Sequence, residues 1–314
     1  MKWVKKGLIF SPARDAGWIA SHACVPIADP AGGDVLRIFF GPRDGQGRST
    51  TSFIDVDAGD PTKILYVHDR PVLGLGPLGA FDDGGAMPSS IVNHGSRKYL
   101  YYIGWNRGVS VPFRNAIGLA VSDDGGLTFE RVCEGPILDR SPDDPYFVSA
   151  PYVLVDDGRW KMWYISSTGW VVVDGHPEPV YLIKYAESAD GLRWITTPQP
   201  CLTYRFPGEA ISRPSVLREN DGFRMWYCFR GSERYRIDRA ASYRIGYAVS
   251  RDGLAWERQD ERAGIGLSAS GWDAAMIENP CVYERGGRKF MLYNGDGFGA
   301  TGFGYAVLDE SVAD

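Results

Sequence analysis

No apolar run in this sequence is long enough to cross a bilayer, which argues against a membrane-spanning helix. There is no basic excess either. The 34 Lys and Arg against 39 Asp and Glu leave a net charge of −5, so the chain lacks the footprint of a nucleic-acid binder. Phosphate loops, paired zinc motifs, nucleophile elbows and dinucleotide fingerprints are all missing. The cysteines Cys24, Cys133, Cys201, Cys228 and Cys281 are odd in number and lack metal-like spacing. They predict reduced, mostly buried thiols and a cytoplasmic location. The N-terminal lysines precede only a short apolar patch, which does not predict a secretion signal. With no low-complexity stretch or linker, residues 1–314 are expected to form one domain.

What the chain does have is a phrase repeated five times. A proline opens an apolar run at Pro26, Pro88, Pro151, Pro214 and Pro280, at intervals of 62, 63, 63 and 66 residues. After each, a basic residue starts an aromatic or aliphatic stretch: Arg37-Ile-Phe-Phe, Lys98-Tyr-Leu-Tyr-Tyr, Lys161-Met-Trp-Tyr, Arg224-Met-Trp-Tyr and Lys289-Phe-Met-Leu-Tyr. A fixed period of this kind means one supersecondary unit per repeat, packed on its neighbours. The length and the β-branched and aromatic content suit a four-stranded propeller blade, so the predicted fold is an all-β, five-bladed β-propeller. Third strands end in Ser122-Asp-Asp-Gly-Gly, Ser188-Ala-Asp-Gly and Ser250-Arg-Asp-Gly, where Asp-Gly signals a hairpin turn. These turns lie away from the channel and are assigned a folding role. Repeat five ends one strand short. Lys2-Trp-Val-Lys-Lys-Gly-Leu-Ile resembles the fourth-strand phrase Ala255-Trp-Glu-Arg, so the N-terminal strand is predicted to complete the last blade.

In a propeller, inner strands line the central channel, and side chains before each repeat proline converge there. Those positions offer His22, Asp83, Asp144, Glu209 and Glu278. Crowded carboxylates raise one another's pKa, so one can stay protonated while another is ionised. Plainer roles stand beside this: Asp83 and Asp144 in turns, Glu209 on a solvated loop, His22 as a core histidine. Glu278, on an apolar strand two residues before its proline, is hardest to explain as turn chemistry. Arg43, Arg213 and Arg230 fall where they would rim the channel mouth, and guanidinium forks match carboxylate and phosphate geometry. The alternative for each is pairing with the channel's own acids. Trp105 and Asn106 follow a second strand and are candidate sugar contacts, as are Trp170 and Trp272.

Five repeats with Ser-x-Asp-Gly turns, aromatic second strands and acids before the prolines resemble the five-bladed propellers of glycoside hydrolase families 43, 32, 62, 68 and 130. Met87-Pro-Ser-Ser-Ile-Val-Asn-His, Tyr101-Tyr-Ile-Gly-Trp-Asn-Arg and Lys161-Met-Trp-Tyr are also similar to glycosidase-like proteins of bacterial capsule and O-antigen loci. The resemblance implies a carbohydrate-active enzyme in surface-polysaccharide metabolism. The family's three carboxylates come from blades one, three and four. This chain departs from that pattern, with Val25 before the first proline and Arg213 before the fourth. Glu278 or Glu209 is then the expected general acid, Asp83 or Asp144 the base or nucleophile, and His22 an orienting group. The arginines would hold an anionic group on the sugar. One alternative is a phosphorylase or glycosyl transferase using a sugar-phosphate; another is a non-catalytic glycan-binding propeller. No cofactor is expected. Some family members hold channel calcium, but no ligand set in this chain names a metal. The expected partner is a carbohydrate, with no nucleic acid and no membrane; the oligomeric state stays open.

Overall fold

The computed structural model describes residues 1–12, 17–29, 33–309 and 311, and its strands fall into five antiparallel four-stranded sheets. Blade one is β2 (Ser21–Asp29), β3 (Val35–Arg43), β4 (Ser52–Asp57) and β5 (Ile64–Val67). Blade two is β6 (Gly85–His94), β7 (Arg97–Arg107), β8 (Phe113–Ser122) and β9 (Glu130–Arg131). Blade three is β10 (Val148–Asp156), β11 (Arg159–Val173), β12 (His176–Ser188) and β13 (Ile195–Pro200). Blade four is β14 (Glu209–Glu219), β15 (Gly222–Gly231), β16 (Arg244–Ser250) and β17 (Glu257–Arg258). Blade five joins β18 (Glu278–Arg285), β19 (Arg288–Asn294) and β20 (Phe303–Leu308) to β1 (Trp3–Phe10), so the N-terminal strand closes the ring as the sequence predicts. Among the described residues no helix is long and apolar enough to cross a membrane.

The repeat proline marks a bulge in the inner strand. Val25, Ala150, Arg213 and Asn279 each precede a repeat proline and have φ of 51, 43, 50 and 54°. The ladder slips there, between Cys24 and Ile27, Ser149 and Tyr152, Ser212 and Ser215, and Glu278 and Cys281. Proline has no N–H to give a ladder, so a bulge is where an inner strand tolerates it. Blade two differs: its slip lies between Pro88 and Ser90.

Blades are sewn together at two radii. Near the axis, Ser90 Oγ accepts the Val153 N–H (3.0 Å), Ser215 Oγ accepts the Val282 N–H (2.8 Å) and Cys281 Sγ accepts the Ala28 N–H (3.4 Å). Ile27 holds the matching register in blade one and offers no such bond; that seam uses buried Asp29, bound by Lys98 (2.6 Å) and Asn93 (2.8 Å). Farther out, second-strand aromatics reach the next blade's Asp-Gly turn. The Tyr101 hydroxyl donates to the Gly191 carbonyl and the Trp163 indole N–H to the Gly253 carbonyl, each at 2.8 Å. Within the turns, Ser188 bonds Asp190 at 2.9 Å and Ser250 bonds Asp252 at 3.0 Å. The backbone N–H groups of Arg193 and Leu254, foremost, hold Asp190 and Asp252 below the usual carboxylate range. These turns therefore do the folding job expected of them.

Gly191 sits at φ 73°, and a Cβ there would lie 2.7 Å from the Tyr101 hydroxyl and 2.9 Å from the Trp160 ring. Gly191→Ala is expected to destabilise by about 1–3 kcal/mol. Trp163→Phe, which deletes one buried hydrogen bond, should cost about 1–3 kcal/mol. Urea titration checks both; wild-type midpoints would show that the outer seam carries no stability.

Candidate active site

Three of the predicted acids are occupied within their own blades. Asp144 is fully buried, with Lys184 Nζ at 3.2 Å and the Tyr164 hydroxyl at 3.3 Å. Glu209, also fully buried, takes both forks of Arg258 at 2.9 and 2.5 Å and the Arg205 N–H at 2.7 Å. Asp83 accepts the Gly79 N–H at 2.9 Å, a turn contact. Its neighbour Asp82 is the buried one, bound by the Tyr102 hydroxyl (3.0 Å) and Arg131 Nε (2.8 Å). Asp273 repeats this in blade five with Tyr293 (3.0 Å) and Lys5 (2.6 Å). In blades two, three and five the acid stands 20 residues before its tyrosine. Each acid pins the segment leading into the inner strand onto the second strand and a cation farther out. Blade one carries Phe40 at the tyrosine's register and, among the described residues, has no such pin. Asp83, Asp144 and Glu209, expected to converge on the channel, are thus each held by contacts of their own blade.

Glu278 is different. It opens β18, is 5% exposed, and its Oε1 is buried without a hydrogen-bond partner. Burial pushes its carboxyl up to about 8, against the opposing fields of Arg43, Arg230 and Arg236. At neutral pH it is therefore a protonated acid, the state a proton donor needs. Arg43 ends β3, across the ring's closing seam, and its Nε is buried and unpartnered. His22, at φ 59°, places Nδ1 2.8 Å from Ser21 Oγ. Burial first, then Arg43, lowers its pKa to about 4, so the ring is neutral and suited to orienting rather than carrying charge. Burial raises the Cys24 thiol to about 11; its Sγ donates to the Phe298 carbonyl at 3.0 Å, and it is no thiolate nucleophile.

Arg230 is held in a wall of tyrosines. Its Nε donates to the Tyr243 hydroxyl (3.1 Å), its Nη2 to the Pro179 carbonyl (2.9 Å), and its guanidinium lies 3.7 Å from the Tyr235 ring centre. The Tyr181 and Tyr243 hydroxyls bond each other, while Glu178 binds Tyr235 (2.6 Å) and Arg236 (2.7 Å). Arg230 thus acts on Glu278 by charge, its hydrogen bonds being spent on the wall. Sequence reasoning missed Glu178, Tyr181, Tyr235, Arg236 and Tyr243. For Tyr235, Arg236 and Tyr243 the signal was the tyrosine and arginine content of the irregular stretch after β15; Glu178 and Tyr181, on β12, carried none. Arg213 is 1% exposed; Nη1 reaches only the Pro214 carbonyl (3.2 Å), and Nε and Nη2 have no partner.

The aromatic candidates are mostly packed. Trp105 covers Gly85, where a Cβ would lie 1.6 Å from its Nε1. Trp170 meets Phe113 at 5.4 Å, and Trp272 stacks on Tyr293 at 5.1 Å. Asn106 lines a small cleft of about 130 Å³ with Phe81, Arg114 and Asp139. Among the described residues no group of three or more His, Cys, Asp or Glu is placed to hold a metal ion.

No known protein-family model matches the chain. Two Mycobacterium tuberculosis proteins do: "Uncharacterized protein Rv1502" (strain ATCC 25618 / H37Rv) and "Uncharacterized protein MT1551" (strain CDC 1551 / Oshkosh). Each is 42% identical over 311 residues, spanning 99% of this chain and 100% of the relative. The chain belongs to their family. Among solved structures, one called "Glycoside hydrolase" matches with a TM-score of 0.75 at 17% identity, over 97% of this chain and 90% of that one. A glycosyl hydrolase from Bacteroides ovatus gives 0.70 at 14% identity, over 100% of this chain and 95% of that one. A structure described as "The GH130 family of mannoside phosphorylases contains glycoside hydrolases that target beta-1,2 mannosidic linkages in Candida mannan" gives 0.67 at 14% identity, over 99% and 95%. The fold is that of the five-bladed glycoside hydrolase propellers.

Glu278 and His22 make opposite pH predictions. Unfolded, the Glu278 carboxyl ionises near 4.5; folded, it keeps its proton to about 8, so its contribution to stability is complete below 4.5 and lost as pH rises through 8. His22 takes its proton near 6.5 unfolded and near 4 folded, so its contribution is present above 6.5 and lost as pH falls through 4. Glu278→Gln should therefore gain stability relative to the wild type as pH rises from about 5 to 8. Denaturation series across that range check this; parallel curves would mean that Glu278 is ionised in the fold.

Proposed function

We propose that this protein is a carbohydrate-active enzyme acting on a glycosidic bond, with Glu278 as general acid. One observation carries this reading: a buried, unpaired carboxyl at the start of an inner strand, where burial favours its protonated form against the charge of Arg43. The fold's likeness to proteins called glycoside hydrolases supports the same class. In this reading Glu278 gives its proton to the departing glycosidic oxygen while neutral His22 orients the sugar.

A second feature favours an anionic co-substrate. Two-carboxylate hydrolysis needs an ionised partner about 5–9.5 Å from the acid. Asp83, Asp144 and Glu209, the acids expected to supply it, are each engaged elsewhere. Phosphorolysis needs only one acid. A phosphate oxygen, held by Arg43, bonds to the anomeric carbon as the glycosidic C–O bond breaks and the leaving oxygen takes the Glu278 proton. The products are a sugar 1-phosphate and a glycan shortened by one unit. We assign the substrate to bacterial surface polysaccharides on the strength of the sequence phrases in β6 and β7.

The test is turnover of a glycan and aryl-glycoside panel with and without inorganic phosphate. Glu278→Gln should lower turnover by about 10²-fold or more, and Asp83→Asn should leave it near wild type. Activity of the free enzyme should fall as pH passes about 8, where Glu278 ionises. Full activity of the Glu278 variant would remove the acid assignment. Turnover indifferent to phosphate would return the mechanism to hydrolysis, and glycan binding without turnover would make the protein a binding module.

A further inference from the structure

Arg213 is a charge without a counter-charge. It stands at the bulge of β14, and the groups acting on it come from the inner strands of blades three and five, Tyr152 and Cys281, and from Cys228 on β15. Arg213 thus stands where the inner strands of blades three, four and five meet. A guanidinium does not discharge in proteins, so burial cannot be relieved by losing the proton. A buried ion of this kind is tolerated when paired.

Lys184 obeys that rule with Asp144, and Arg258 with Glu209; Arg230 instead spends its hydrogen bonds on a tyrosine cage beside Glu178, and Arg43 keeps a buried, unpartnered Nε. No described carboxylate lies within ion-pair reach of Arg213. Burial raises the Cys228 and Cys281 thiols and the Tyr152 phenol, so none of the three supplies a negative charge.

The two unpartnered nitrogens, Nε and Nη2, share one edge of the guanidinium. Arg37 offers that edge to Asp55, with Nε at 2.8 Å and Nη2 at 2.9 Å, and Arg236 offers it to Glu178 at 2.7 and 3.1 Å. In Arg213 the same fork meets no protein acceptor.

We propose that the Arg213 fork binds a small monovalent anion, chloride in the cell, inside the channel. One negative charge balances the single guanidinium. A buried site walled by Tyr152, Cys228 and Cys281 favours an ion with few hydrogen-bonding demands over a hydrated phosphate or a sugar carboxylate. The ion is a structural element of the ring, independent of the reaction assigned to Glu278.

Bromide is the probe. In crystals of the full chain soaked in sodium bromide, an anomalous peak is expected within hydrogen-bond reach of Arg213 Nε and Nη2. In solution, Tm should climb with chloride from about 1 to about 300 mM at constant ionic strength balanced by gluconate, as expected for a ligand that binds only the folded state. Arg213→Met should abolish that climb. If that variant does not fold, Arg213→Lys, which keeps the charge and loses the fork, should weaken it. An empty or water-filled fork in the bromide map overturns the proposal, as does a Tm indifferent to chloride. A response to sulfate or phosphate but not to halide overturns it too.

Discussion

Trp3–Phe10 lies antiparallel to Phe303–Leu308, and this one pairing sets blade five against blade one. Glu278 belongs to the former, and Arg43 and His22 to the latter. Sequence continuity gives no help where β1 meets β20, inside blade five. The adjoining seam between blades five and one is held by Asn294, which accepts the Val25 N–H (2.8 Å) and donates to the Ala23 carbonyl (2.7 Å), and by the contact of Ala28 with Cys281.

Buried charge is used in two ways. In blades two to five, carboxylates pair with a cation or a tyrosine and fix the approach to each inner strand, a rigid frame whose ionisation has no reason to change during a reaction. Glu278 and Arg213 are left out of such pairs. The first relieves its burial by keeping its proton; the second has no such escape. An unpaired acid and an unpaired base near one axis make a polar interior that the surrounding frame must keep from collapsing onto itself.

Much of the architecture was legible because it depends on period and on residues with few conformational options. The repeat prolines give the blade period, the Asp-Gly turns join strands three and four, and the leading Lys2-Trp-Val phrase completes blade five. The site was legible only where a residue contradicted its local context, as Glu278 does on its apolar strand. The pairing of Asp144 and Glu209 was not legible, because an acid ahead of a strand reads the same whether it faces a channel or a cation. Their partners Lys184 and Arg258 lie 40 and 49 residues onward, on outer strands. The Arg230 cage was hidden for a related reason: its tyrosines lie on or beside segments with no period of their own, and only the fold brings Tyr181 to Tyr243.

The velcro between the first and last strands also has a history in time. While the ribosome extends the nascent chain, Trp3–Phe10 has no partner until Phe303–Leu308 emerges, nearly the whole chain later. Pairing at that separation is slow, and an unpaired strand edge invites association with other chains in the interval. Gly7, with φ 109°, and the charges of Lys5 and Lys6 interrupt an otherwise apolar β1, features that discourage such association before the circle shuts.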